Sequence, residues 1–254
     1  MENLDDYLEK VTHLPATPTI LINLMALLRK VDTDIDEVVK LISMDPSITA
    51  GVIQLCNSAM FGGSGNISDI EGAVGRLGFD ETYRIVASVI GRIVLAGSNS
   101  DSCVQSDAMW RHSAAVGVAS QIIAKNIGQD SGQAFTAGLL HDIGKIVLAD
   151  ALNEEYSQMI EECRVRQTSH WATEKEKLGV DHAAIGGRLL EKWKFSDTLI
   201  SAVKHHHEPL NAGADHPMAS IVFAGDLVAH FIGYSLNEHA VGLGGVPRYS
   251  APSV

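Results

Sequence analysis

Along most of the chain, apolar residues recur at intervals of three and four. Between positions 18 and 30, Ile20, Leu21, Leu24, Met25, Leu27 and Leu28 fall on one helical stripe, with Thr17 placed to cap it and Pro18 suited to its first turn. Ile35, Val38, Val39 and Ile42 follow the i, i+3, i+4, i+7 pattern and predict a helix ending near Met44. Asp45-Pro46 then reads as a cap and a first-turn proline for a helix carrying Ile48, Val52, Ile53 and Leu55. Ser68 and Glu71 have capping-box spacing ahead of Ala73, Val74 and Leu77. Gly78 is a stop, and Asp80 opens an apolar stretch from Ile85 to Leu95. Beyond it the pattern predicts helices over 107–127, 131–142, 145–151, 154–169, 171–178, 182–194, 197–207 and 217–233, punctuated by Gly128, Gly179 and Pro209. Alternating strands joined by a hairpin turn are not in evidence, so the predicted class is all-α.

Three polar stretches interrupt the periodicity. FGGSGN at 61–66 has neither a preceding strand nor a following lysine, so it reads as a connector and not as a phosphate loop. GSNSDSCVQSD at 97–107 marks a boundary between subdomains, and from Asn237 onward the periodicity is lost. The expected organisation is therefore an N-terminal helical subdomain over 1–99 packed on a second helical subdomain over 100–236, with an irregular tail over 237–254.

Composition narrows the function. With 46% apolar and 20% charged residues, the 254-residue chain can bury an ordinary core. Its formal net charge of -12, with no Lys/Arg cluster, disfavours nucleic acid as a partner. Cys56, Cys103 and Cys163 are scattered and match no CxxC spacing, as expected of reduced thiols. The acidic opening MENLDDYLEK lacks an apolar signal core, and apolar runs nowhere reach a membrane span, so the expectation is a cytoplasmic protein without a membrane partner.

The candidate chemistry lies in the second half. His141-Asp142 sits in AGLLHDIGKIVL. A neutral imidazole beside an ionised carboxylate offers two good ligands for a divalent cation, and the carboxylate can bridge two ions. A single HD pair also fits a hydrogen-bonded helix end. His112 lies on a helix whose other face is apolar, His182 follows Asp181 at a helix start, and His205-His206-His207 ends another helix. Asp226 stands inside the apolar run IVFAGDLVAHF, where a charge is costly unless paired or metal-bound. His13, His170, His216, His230 and His239 read as surface or packing residues.

Taken in order, His112, His141-Asp142 with Gly144-Lys145, His182, His206-His207 and Asp226 resemble the ligand series of the HD superfamily of metal-dependent phosphohydrolases, especially the two-metal layout of its HD-GYP branch. In the first half, LPATPTILINLMALL, LISMDPSITAGVIQLCNSAMFG and ISDIEGAVGRLGF resemble the HDOD family, the HD-related output domain, and the resemblance runs from Leu14 to Ile232. It implies an all-helical bacterial signalling module with an HD-like half, and a signalling protein as partner. Many HDOD proteins have lost HD ligands, whereas this chain keeps the set. After HHHE it continues PLNAGADHPMA without a GYP triplet, which departs from the branch that hydrolyses cyclic-di-GMP.

The resemblance also implies roles. His112, His141, Asp142 and Asp226 would hold one ion, and Asp142 would bridge to a second held by His182, His206 and His207, with iron, manganese or zinc all suited to such ligands. Two ions sharing Asp142 would activate water near neutral pH. A shift of one residue would replace His206 by His205. Lys145 is either a contact for a substrate phosphate or a solvated helix-face lysine. Three functions fit: a regulatory module stabilised or tuned by metal, a phosphohydrolase acting on a nucleotide or other phosphate ester, and a helical scaffold with an empty site.

Overall fold

A computed structural model describes residues 3–11, 18–30, 32–58, 67–95 and 106–235. The connector at 61–66, nearly all of the boundary stretch at 97–107 and the tail from Asn237 lie outside the described residues. Within them every regular element is a helix, and no single helix is long and apolar enough to cross a membrane.

The chain divides into two compact units. The first holds Ala16–Val94. It contains α2 (Thr19–Leu28), α3 (Ile35–Ser43), α4 (Pro46–Cys56) and nearly all of α5 (Ile70–Leu95). The start signals act as their chemistry requires. Asp45 accepts from the backbone N–H of Ser47 and of Ile48 at 2.8 and 3.0 Å, and Pro46 fills the first turn. At α5 the capping residue is Asp69 and not Ser68: its carboxylate accepts from Gly72 N–H at 2.7 Å, while the Ser68 hydroxyl donates to Asp69. Gly78, with φ 77°, interrupts the α-helical backbone inside α5, as its stop signal implies. Asn57, just after α4, donates to the C=O of Ile67 and accepts from its N–H, at 2.8 and 2.9 Å. Leu21, Leu24, Val38, Ile42, Val52, Ile85 and Val86 are buried.

The second unit joins Met1–Pro15 to Leu95–Val254. Here α6 (Ser106–Asn126), α7 (Ser131–Leu140) and α13 (His216–Phe231) pack on one another. Around them lie α8 (Ile143–Leu152), α9 (Glu154–Arg166), α10 (His170–Leu178), α11 (His182–Lys192), α12 (Asp197–Lys204) and a 3-10 turn at Pro209–Asp215. A helix that periodicity did not predict, α1 (Leu4–Lys10), docks on α8 and α11. Tyr7 and Leu8 are its buried residues, and Asp5 receives Arg188 in a forked ion pair at 3.0 and 2.9 Å. Helix α1 thus packs with helices of the second unit, although it lies within the 1–99 segment of the chain.

Small residues set the spacing between these helices. A Cβ on Gly138 of α7 would stand 2.9 Å from Gly117 Cα, Ser120 Oγ and Val116 O of α6. A Cβ on Gly225 of α13 would strike the Ser120 side chain and lie 3.1 Å from Val116 O. Helices held this closely bring short side chains such as Asp into reach of one another.

Candidate metal centre

Each cluster residue is presented by a helix or a helix end. His112 projects from α6, and Asp226 and His230 project from α13 one turn apart. His141 ends α7, and Asp142 stands at the start of α8 without capping it through its side chain, so the carboxylate is available to the cluster. His182 begins α11 behind Asp181, which caps that helix through Ala184 N–H at 2.8 Å and also accepts Trp171 Nε1–H at 3.0 Å. The predicted helix 197–207 stops at Lys204, and His206 and His207 lie in the turn beyond it. That early stop lets two consecutive side chains face one site, which helical geometry would place about 100° apart. His205 caps the end of α12, and it is His206 and His207 that join His182.

All seven predicted ligands converge, and Asp142 is the centre. Its Oδ2 lies 3.6 Å from His112 Nε2 and 3.4 Å from His141 Nε2. Its Oδ1 lies 3.2 Å from His182 Nε2 and 3.9 Å from His206 Nε2. Asp226 Oδ1 stands 3.2 Å from His112 Nε2 and 3.9 Å from His141 Nε2. His207 Nε2 is 2.9 Å from His182 Nε2. Lys145 is not a solvated helix-face lysine: its ammonium donates to Asp142 Oδ2 at 2.6 Å.

The outer ring nitrogens fix how the imidazoles point. His112 Nδ1 bonds Tyr234 O at 2.6 Å, His141 Nδ1 bonds Gly138 O at 2.8 Å and His206 Nδ1 bonds Val203 O at 2.7 Å. A carbonyl can only accept, so Nδ1 carries the proton and Nε2 is turned inward as the available donor atom. His182 uses a carboxylate instead. Its Nδ1–H and its backbone N–H both donate to Glu174 Oε2, at 2.6 and 2.7 Å, and Tyr156 donates to Glu174 Oε1 at 2.7 Å.

Charge follows from this packing. Burial opposes ionisation of Asp142, but His141, Lys145 and His182 outweigh it and hold the carboxyl well below its ordinary range. Asp226 is held down in the same way, against burial, by His112 and His230. Burial also opposes charge on His182 and Glu174, yet their mutual attraction prevails, pushing the imidazole up to about 9 and the carboxyl down to about 2. His206 is carried by burial, with His141 and His182 beside it, down to about 3. His170, at the start of α10, is brought by burial and by Lys145 to about 4.

The donor set suits a divalent cation. Among the described residues Asp142 Oδ1, Asp226 Oδ1 and His206 Nε2 are buried without a hydrogen-bond partner, a costly condition that a bound cation would relieve. Among the described residues three groups each offer donor atoms within 4.8 Å of one another: His112, His141 and Asp142; His182, His206 and His207; His112, Asp226 and His230. Metal–ligand bonds of about 2.0–2.2 Å span such separations with small adjustments. Imidazole with carboxylate is a ligand mixture for iron, manganese or zinc.

Sequence reasoning missed two members of this neighbourhood. Glu174 is one charge among several in HWATEKEKL, and only the fold brings it to His182. His230 had a signal in its spacing, four residues after Asp226, and it is a neighbour of the cluster instead of a surface or packing residue.

An all-helical chain with a buried His/Asp cluster ordered in this way defines an HD-type helical protein. The chain belongs to the HDOD domain family, which it matches over residues 14–209. In structure it is similar to an HDOD domain protein of unknown function from Geobacter sulfurreducens, with a TM-score of 0.81 and 24% identity, covering 97% of this chain and 81% of that one. It is also similar to a candidate phosphohydrolase from Shewanella amazonensis, with a TM-score of 0.69 and 28% identity, covering 88% and 80%. An uncharacterized protein of Treponema pallidum is 25% identical over 228 residues. The chain spans 44% of that relative's length.

Proposed function

We propose that this chain is a bacterial regulatory module, working in the cytoplasm, whose His/Asp centre holds one or two divalent ions and so ties a bound ligand or partner protein to the state of the helical unit. The carrying observation is the division of the Asp142 carboxylate, with Oδ2 toward His112 and His141 and Oδ1 toward His182 and His206. His112, His141, Asp142 and Asp226 would take one ion, and Asp142, His182, His206 and His207 the other. A divalent ion bound there supplies Lewis-acid activation of water near neutral pH. The protein's own part is to keep Nε2 of each imidazole directed inward, to hold His182 against Glu174, and to place the Lys145 ammonium beside Asp142.

A second reading, a phosphohydrolase acting on a nucleotide or other phosphate ester, is favoured by the Lys145 ammonium at the centre and by the similarity to the Shewanella amazonensis protein. A net charge of -12 argues against nucleic acid as the partner in either case. The test begins with metal analysis of the protein purified without added metal, beside Asp142→Ala. One to two equivalents of iron, manganese or zinc, lost in the variant, is the expected result. Absence of metal from the wild-type protein would sink the reading. Turnover of bis(p-nitrophenyl) phosphate or nucleotides that disappears in Asp142→Ala would favour the enzyme over the regulator.

A further inference from the structure

His230 lies outside the ligand series that the HD resemblance supplies, yet it takes part in the same cluster. It stands four residues after Asp226, so both side chains leave α13 on one face. Its Nε2 is 3.2 Å from Asp226 Oδ1, the same distance at which His112 Nε2 approaches that oxygen. The His112 and His230 rings lie with centroids 5.2 Å apart. Two imidazole nitrogens thus converge on one carboxylate oxygen, and among the described residues that buried oxygen has no hydrogen-bond partner. Among the described residues His230 Nδ1 is also buried without one, so the ring meets the cluster through Nε2 alone.

Resting on the metal reading above, we infer that His230 is a fifth protein ligand of the ion that His112 and Asp226 hold. His112 has one inward nitrogen, because Nδ1 is committed to Tyr234 O, and an imidazole lone pair serves one ion. The group His112, His141 and Asp142 and the group His112, Asp226 and His230 therefore meet at a single cation. Its shell is three imidazoles and two carboxylates, a richer set than the second position offers.

The test uses the full chain stripped by chelator and reloaded with Co2+, followed by visible absorption and by elemental analysis after desalting. His230→Ala and His230→Gln are compared with wild type, with far-ultraviolet circular dichroism to establish that each is folded. The expected result is a loss of at least about tenfold in affinity for one ion in both variants, with a changed absorption band. Added imidazole restores the band in His230→Ala. Glutamine keeps an N–H that can reach Asp226, so wild-type affinity and absorption in His230→Gln would make His230 a positioning residue and overturn the assignment. Unchanged binding in both variants overturns it as well, while leaving the metal reading intact. Failure of the wild-type chain to bind Co2+ overturns both together.

Discussion

Replacing Gly144 by alanine should unseat the centre without touching a donor atom. Gly144 lies in the first turn of α8, two residues after Asp142. A Cβ there would overlap the carbonyl oxygen of His182 and stand 2.8 Å from Gly186 N. Both are backbone atoms of α11, so no side chain can swing aside. In an open helix interior the same change stabilises by about 1 kcal/mol, because glycine loses more chain entropy than alanine. Overpacking against a rigid neighbour costs about 1–3 kcal/mol, and backbone on two sides places this position at the upper end. The net expectation is a loss of about 2 kcal/mol, with α8 and α11 forced apart. Because Asp142 enters with α8 and His182 with α11, metal retention should fall in parallel. Urea unfolding followed by circular dichroism gives the stability, and elemental analysis gives the metal. Gly75→Ala serves as the control: its Cβ meets nothing within 4 Å, so it should gain up to about 1 kcal/mol. A Gly144→Ala protein as stable as wild type, or more so, would refute the close-approach argument.

Other perturbations separate the layers of the structure. Glu174→Gln keeps the shape but removes the charge that holds His182, and metal affinity measured by competition with a chelator should fall about 10–100-fold. In metal-free protein the same pair sets a pH window. Glu174 titrates at about 2 folded against 4.5, so its contribution is complete above pH 4.5 and is lost as pH falls toward 2. His182 titrates at about 9 against 6.5, so its contribution is complete below pH 6.5 and is lost as pH rises through 9. The difference in melting temperature between wild type and Glu174→Gln should therefore be largest between pH 4.5 and 6.5 and shrink on both sides; equal pH profiles would count against the pairing. Tyr156→Phe removes a buried donor to the Glu174 carboxylate and should cost about 1.5–3 kcal/mol in urea unfolding, with no change in the metal bound at saturation. Asp45→Ala deletes a cap that accepts two N–H groups and should cost about 1 kcal/mol; a neutral outcome would mean that Pro46 alone fixes the start of α4.

What could be read from the sequence, and what could not, divides along range. Caps, stops and periodicity act within a few residues, and there the reading was close: Asp45, Pro46, Gly78 and the starts of α6, α7 and α9 all lie within a residue of their signals. Where two adjacent groups compete for one local role, a sequence leaves the choice open, and Asp69 prevailed over Ser68 because a carboxylate accepts more strongly at a helix N-terminus. Helix α1 went unread because LDDYLEK is a short, acidic segment that offers only Tyr7 and Leu8 for burial, and its docking depends on Arg188, far along the chain. The seven cluster residues were legible because their types and order carry chemistry even when their distances cannot be seen. Glu174 carries the same kind of charge as Glu176 two residues on, and nothing local distinguishes them. What separates the two is that α10 turns residue 174 under the start of α11, where one carboxylate meets both the imidazole and the backbone N–H of His182. Seven residues of this cluster can therefore be named from sequence, while the groups that hold them in place emerge only from how the helices pack.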